Sequence, residues 1–268
     1  MAKNITTAPL ITEISGRGVA TITLRRPEIH NAFDDVLIER LRRELHGLNN
    51  DPKVRVVVLA AEGKSFSAGA DLNWMKRMAE YERAENLEDA KNLGKLMATL
   101  YRMRQPTVAI VQGPAYGGGV GLVAACDIAI ASDAAHFCLS EVRLGLIPAV
   151  IGPYVIHAVG ERQATRYMLT AEKFSAAEAM RIGLVHDVVP ADVLQDRRNE
   201  VVDDLLKGGP RALSEVKNLV SYITTSATQD EKVVRDTAGH IARVRASDEG
   251  QEGVQAFLEK RKAAWVKD

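Results

Sequence analysis

The sequence predicts an α/β fold in which a strand-and-helix core is followed by a helical C-terminal part. Three observations predict it. Short runs of β-branched residues alternate with amphipathic segments through the first half of the chain, the pattern of strands interleaved with helices. Two loops rich in glycine and alanine each follow such a run and open the next helical segment. Beyond residue 160 the strand signals give way to successive helical periods.

In chain order, residues 18–24 alternate apolar and polar positions as a half-buried strand does. Residues 31–48 set Phe33, Val36, Leu37, Leu41, Leu45 and Leu48 near helical spacing, an amphipathic helix. Residues 54–60 are a β-branched strand that runs into the turn-like Glu62, Gly63 and Lys64. One long helix is expected over 72–104, ending before Gln105 and Pro106. Strands follow at 107–111, 127–131 and 136–139. Helices are expected at 161–169, 175–182, 191–206, 210–223, 229–246 and 250–265, several opened by a capping residue or an N1 proline. With no repeat and no long linker, the chain divides into a core at 1–190 and a helical region at 191–268. A helical tail of that size often packs on a neighbouring subunit.

Composition excludes several functions. Lys plus Arg and Asp plus Glu both number 35, so the charge balance gives no reason to expect nucleic acid or an acidic membrane as partner. No apolar run approaches the ~20 residues needed to cross a bilayer. Residues 1–10 show no secretory signal, and Cys126 and Cys138 lack metal-ligand spacing, so free thiols and a cytoplasmic location are expected. His30, His46, His136, His157, His186 and His240 suggest no zinc site, and no metal is expected. Ser67 and Ser140 have no visible base partner, which argues against a serine nucleophile.

Three segments carry the chemistry. Residues 66–72, Phe-Ser-Ala-Gly-Ala-Asp-Leu, form a loop of small residues that opens a helix. Such a loop presents free amide hydrogens to developing negative charge, and Asp71 could cap the helix; a plain strand-to-helix turn is the alternative. Residues 113–122, Gly-Pro-Ala-Tyr-Gly-Gly-Gly-Val-Gly-Leu, are neither a P-loop nor a dinucleotide fingerprint. Their run of glycines implies close backbone approach, either to a ligand or to a packed helix. Two such loops raise the prospect of a two-donor oxyanion site. Residues 137–148 set Glu141 in an apolar neighbourhood, where partial burial raises a carboxyl pKa and suits a group that gives and accepts a proton. Solvation, or pairing with Arg143, is the alternative for Glu141.

Together these segments resemble the enoyl-CoA hydratase/isomerase, or crotonase, family. The similarity runs from residues 25–33, Arg-Arg-Pro-Glu-Ile-His-Asn-Ala-Phe, to residues 247–257. The resemblance implies a crotonase-like spiral of stacked ββα turns with a helical C-terminal trimerisation region, assembled as a homotrimer or homohexamer. It implies an acyl-CoA thioester substrate and no cofactor, coenzyme A being part of the substrate. It places the oxyanion-hole amides on Ala70 and Gly118 and the catalytic acid on Glu141. Lys64, Ala68, Asp71, Leu72 and Gly117 would serve substrate and coenzyme A binding.

One position departs from the pattern. Typical enoyl-CoA hydratases carry a second glutamate where this chain has Gly121, so a two-carboxylate mechanism does not carry over. Glu141 alone could hydrate a 2-enoyl-CoA, or move a proton between carbons as an isomerase does. Residues 117–123 and 137–149 are similar to bacterial methylglutaconyl-CoA hydratases of leucine breakdown and to isohexenylglutaconyl-CoA hydratases of terpene breakdown. Such substrates carry a distal carboxylate, for which Arg77, Arg83 and Arg143 are candidates. Trp74 and Tyr116 could line an acyl pocket or pack in the core, and Asp127 is expected to serve structure.

Overall fold

The computed structural model describes residues 8–225 and 231–267. Its centre is a six-stranded sheet in the order β1-β2-β3-β4-β6-β9. The strands are β1 (Leu10–Ile14), β2 (Val19–Leu24), β3 (Val56–Ala61), β4 (Thr107–Val111), β6 (Ile128–Ser132) and β9 (Asp187–Val189). Only β1 runs antiparallel to its neighbour; the other pairs are parallel. A second sheet joins β5 (Ala115–Tyr116), β7 (His136–Cys138) and β8 (Phe174–Ser175).

The β-branched composition of β3 and β4 follows from burial on both faces, as parallel sheets require. Val57, Leu59, Ala109 and Val111 face the main core. That core is closed by α1 (Asp35–Asn50), α3 (Arg83–Tyr101), α4 (Gly118–Ala125) and α5 (Gly152–Thr170). Their sequence neighbours Val56, Val58, Val108 and Ile110 face a second cluster, with Leu194, Val202 and Leu206 of α7 (Leu194–Lys207). The sheet's second face is thus covered by the first helix beyond residue 190. On α1, Asp34 caps the N-terminus by accepting from the Leu37 amide, and Leu37, Leu41, Leu45 and Leu48 form one buried stripe. Each contributes ~2 kcal/mol by leaving water.

Several expected elements differ. The single helix over 72–104 is two, α2 (Leu72–Met78) and α3, because a capping box of Glu82 and Glu85 starts a new helix after a turn at 79–82. Helix α5 begins well before residue 161. Gly160 sits inside it at φ 76, ψ 159, so the helical period restarts there and only the second half is legible as periodic. Strands β1 and β9 carry no strong local signal and exist through pairing with β2 and β6.

The C-terminal helices are α8 (Pro210–Thr224), α9 (Glu231–Arg245) and α10 (Asp248–Leu258), after the short α6 (Ala176–Arg181). The expected start of α9 at residue 229 lies outside the described residues. Helix α10 ends earlier than expected. Lys260 takes φ +55 and Arg261 turns back to pair with Glu252 at 2.7 Å. Lys217 of α8 ties this region to the core through Asp127, at 2.7 Å. The outer faces of α8–α10 leave Val216, Val220, Val234, Ile241, Val254 and Phe257 exposed. Among the described residues no helix is long and apolar enough to cross a membrane.

Candidate active site

The two small-residue loops leave the C-terminal ends of β3 and β4 and meet beside the second sheet. Ser67 forms a bridge with Ala115, and the Tyr116 amide donates to the Ser67 carbonyl at 2.8 Å. The first loop is stapled by Asn31, fully buried at φ +52. Its Nδ2 donates to the carbonyls of Glu62 and Ser65, and its Oδ1 accepts from the Arg26 amide. Asparagine tolerates this left-handed backbone better than most residues. Sequence reasoning gave Asn31 no role of its own, since the two carbonyls its side chain holds lie some thirty residues away.

The bridge between Phe33 and Ala70 aims the first amide. The Phe33 amide donates to the Gly69 carbonyl at 2.6 Å, and the Asp71 amide donates to the Phe33 carbonyl at 2.7 Å. These bonds flank Ala70, so its own N–H faces the opposite side of the strand, and Ala70 is exposed. On the second loop Gly117 holds φ 49, ψ −117 and donates to the Cys138 carbonyl at 2.9 Å. Gly118 then opens α4, whose first bond back runs from Gly121 to Gly117. The Gly118 amide is therefore one of the helix's unpaired N-terminal donors. A side chain on Gly118 would meet the buried Phe33 ring at 3.1 Å, which draws the two amide-bearing segments together around one aromatic ring.

Glu141 is the first residue of a 3-10 turn, Glu141–Leu144, that follows β7 and closes at Gly145 with φ +70. Its Oε1 lies where a methyl group on Gly117 would stand only 3.2 Å away. Its Oε2 is buried with no hydrogen-bond partner. Burial pushes the Glu141 carboxyl above the usual carboxylate range, partly offset by its own backbone amide, and no neighbouring charge contributes. Arg143 is exposed and makes no ion pair among the described residues. The structure thus brings Ala70, Gly117, Gly118 and Glu141 together: two unpaired amides and one partly buried acid. That combination can hold a carbonyl oxygen as it gains charge and move a proton nearby.

The remaining expected site residues are placed as follows. Ala68 is half-buried and donates to the His30 carbonyl at 3.0 Å. Asp71 caps α2, its Oδ1 accepting from the amides of Asn73 and Trp74. Leu72 is 73% exposed at the head of α2, and Lys64 is exposed on the preceding turn. Arg77 pairs with Asp35, and Trp74 is buried with its Nε1 donating to Asp89. Tyr116 is half-buried, with the Lys173 ammonium over its ring. Both cysteines are free; burial pushes the Cys126 thiol up to about 12 and that of Cys138 upward. Among the described residues no group of His, Cys, Asp or Glu could hold a metal ion. A cavity of about 510 Å³ lined by Met103, Asp127 and Lys217 lies at the opposite, N-terminal ends of β4 and β6, so it is not this site.

The Gly121 position is sealed. Ile151 Cγ2 would stand 2.3 Å from a Cβ there, and Met97 Cε 3.2 Å away.

Comparison with known proteins bears on this arrangement. A family model described as enoyl-CoA hydratase/isomerase matches residues 15–268. The crystal structure of an enoyl-CoA hydratase from Shewanella pealeana superposes with a TM-score of 0.92 at 45% identity, covering 96% of each chain. A 2,3-dehydroadipyl-CoA hydratase of Escherichia coli is 32% identical over 91% of this chain and 93% of its own length. A trans-2-decenoyl-[acyl-carrier-protein] isomerase of Streptococcus mutans is 29% identical over 91% and 93%.

Proposed function

This chain belongs to the enoyl-CoA hydratase/isomerase family, and on that footing we propose that it adds water to a 2-enoyl-CoA thioester. A branched or carboxylated acyl group such as methylglutaconyl-CoA is the proposed substrate class. The observation that carries the reading is the buried, unpartnered Oε2 of Glu141 on a carboxyl whose other oxygen lies against the Gly117 turn.

The chemistry follows from charge. The thioester oxygen accepts from the amides of Ala70 and Gly118. Glu141 takes a proton from water as its oxygen bonds to the β-carbon, and the π electrons move onto the thioester oxygen as an enolate. The two amides hold that anion more tightly than the neutral carbonyl, which lowers the barrier. The protonated Glu141 then delivers its proton to the α-carbon. A raised pKa suits this double duty, because burial makes the carboxylate a stronger acceptor for the proton it takes from water. No electrons leave the substrate, so no resident cofactor is called for, and coenzyme A enters with the acyl group. Lys64, Ala68, Asp71 and Leu72 belong to the stretch proposed to receive it.

A homotrimer or homohexamer is the proposed assembly, supported by the apolar residues exposed on α8–α10, and the two free thiols fit a cytoplasmic location.

One observation favours a second reading. Gly121 leaves Glu141 without a second carboxylate, and one acid suffices to carry a proton between carbons in a double-bond isomerisation. The deciding experiment offers 2-enoyl and 3-enoyl thioesters, 3-methylglutaconyl-CoA included, in oxygen-18 water. Hydration places the label in a 3-hydroxyacyl product. Conversion of a 3-enoyl to a 2-enoyl thioester without label would replace hydration by isomerisation.

A further inference from the structure

The loop that carries Glu141 is anchored by fully buried side chains at its two ends. Before it, Leu139 and Cys138 are buried against the second sheet. After it, Leu144, Leu146 and Ile147 are all more than half exposed. Pro148 and Val150 are partly buried, Val150 against the main core, and the first fully buried side chain is Ile151, 2% exposed, at the N-cap of α5. Ile151 reaches the first turn of α4 because Gly121 has no side chain, and its Cγ2 occupies the space a Cβ would take. A glycine inside a helix is less favourable than alanine, so this position gives up helix stability for that contact. Gly121 lies one turn from Gly118, on the same face of α4.

We propose that Ile151 is the positioning residue for Glu141: seated over Gly121, it registers the Glu141 loop against the helix turn that presents the Gly118 amide. The acid and the amide donor sit on different segments, and between Glu141 and Ile151 no other side chain is fully buried to hold their spacing. Ile151 touches no reacting atom in this role. It acts by distance, and a misplacement of about 1 Å at a reacting group can lower a rate ~100-fold.

The inference rests on the proton-transfer role of Glu141, and the test separates the two. Hydration of crotonyl-CoA is followed for Ile151→Ala, Ile151→Val, Gly121→Ala, the pair Gly121→Ala/Ile151→Ala, and Glu141→Gln. Ile151→Ala and Gly121→Ala each lower kcat ~10- to 100-fold while KM moves less than about threefold. Both shift the acidic limb of the kcat profile toward the ordinary carboxylate value, since a loosened loop admits water to the carboxyl. Ile151→Val keeps Cγ2 and stays within about threefold of the parent kcat. The paired substitution exchanges volume between the two positions and recovers at least part of the loss from Gly121→Ala, a non-additivity expected only of residues in contact. A native kcat and pH profile in Ile151→Ala, whatever its melting temperature, overturns the inference, as does a pair no faster than its slower single variant. Should Ile151→Ala not fold, Ile151→Val and Gly121→Ala decide: a large kcat loss in the first or none in the second overturns it. If Glu141→Gln hydrates at the parent rate, the role of Glu141 itself fails, a result distinct from any at Ile151.

Discussion

Glu141 Oε1 rests against Gly117, so near that a single methyl group on that glycine would stand 3.2 Å from it. Gly117 also has φ +49, ψ −117, a backbone that side chains resist. The same residue therefore shapes the loop, opens α4 and leaves room for the acid. Gly117→Ala strains the backbone and displaces the carboxyl, and kcat is expected to fall ~100-fold. Steady-state kinetics beside a thermal melt check this; a folded variant with parent kcat removes Gly117 from the site.

Glu141→Gln keeps size and loses the carboxyl that takes up and releases a proton. General acid–base groups contribute ~10²- to 10⁴-fold, so kcat is expected to drop by at least ~100-fold. Calorimetric binding of a saturated acyl-CoA is expected to stay within a few-fold of the parent, because the carboxyl is not needed to hold the thioester. Loss of binding with the loss of rate would move Glu141 from chemistry to recognition.

Burial raises the Glu141 pKa above its ordinary 4.5, and this has a pH signature. Turnover needs the ionised form to accept a proton from water, so the acidic limb of kcat is expected above 4.5. The stability sign follows from linkage. Below 4.5 both folded and unfolded states hold the proton and burial carries no charge penalty. As pH rises the unfolded chain ionises first, and stability is lost until the folded pKa is passed. Glutamine has no such penalty. Glu141→Gln is therefore expected to be more stable than the parent at pH 7, with the difference closing toward pH 4 in urea titrations. An equal difference at both pH values would contradict the burial argument.

Asp71 offers a separate test of cap against ligand. Its Oδ1 accepts from two α2 amides at 2.8 and 3.0 Å. Asp71→Ala is expected to cost ~1 kcal/mol of stability, and Asp71→Asn, which can still cap, to restore most of it. Urea midpoints measure both. A ligand role unrelated to the cap would instead appear as a raised KM in both variants at unchanged stability.

Asp127 and Lys217 join the core to α8. Asp127 Oδ2 accepts from the Thr107 amide, the Thr107 hydroxyl and the Lys217 ammonium. Asp127→Ala leaves a mostly buried ammonium without its carboxylate and is expected to cost ~2 kcal/mol. The pair stands at the end of the sheet away from Glu141, so KM for an acyl-CoA should not change. Denaturation and kinetics on the same preparation test both halves.

Much of the fold and the site was legible in the residues because the deciding physics is local. Strand β4 reads from five successive buried residues, and α1 from the spacing of its leucines. The two loops read as small-residue turns from their glycine and alanine, while Ala70 and Gly118 are assigned as amide donors only through the family resemblance. Glu141 stood out as a carboxyl among apolar neighbours. What the residues alone determined was thus a set of elements, two small-residue turns and one carboxyl among apolar neighbours, with their roles supplied by the family resemblance.

Only the tertiary structure decided how those parts meet. Strands β1 and β9 exist through partners, and Gly160 hid half of α5 by breaking its period. Asn31 became a staple through carbonyls distant in sequence, and Gly121 became a socket through Ile151, thirty residues on. The burial of Glu141 Oε2 belongs with these: desolvation depends on everything packed around an atom, and that packing comes from segments that local periodicity does not relate.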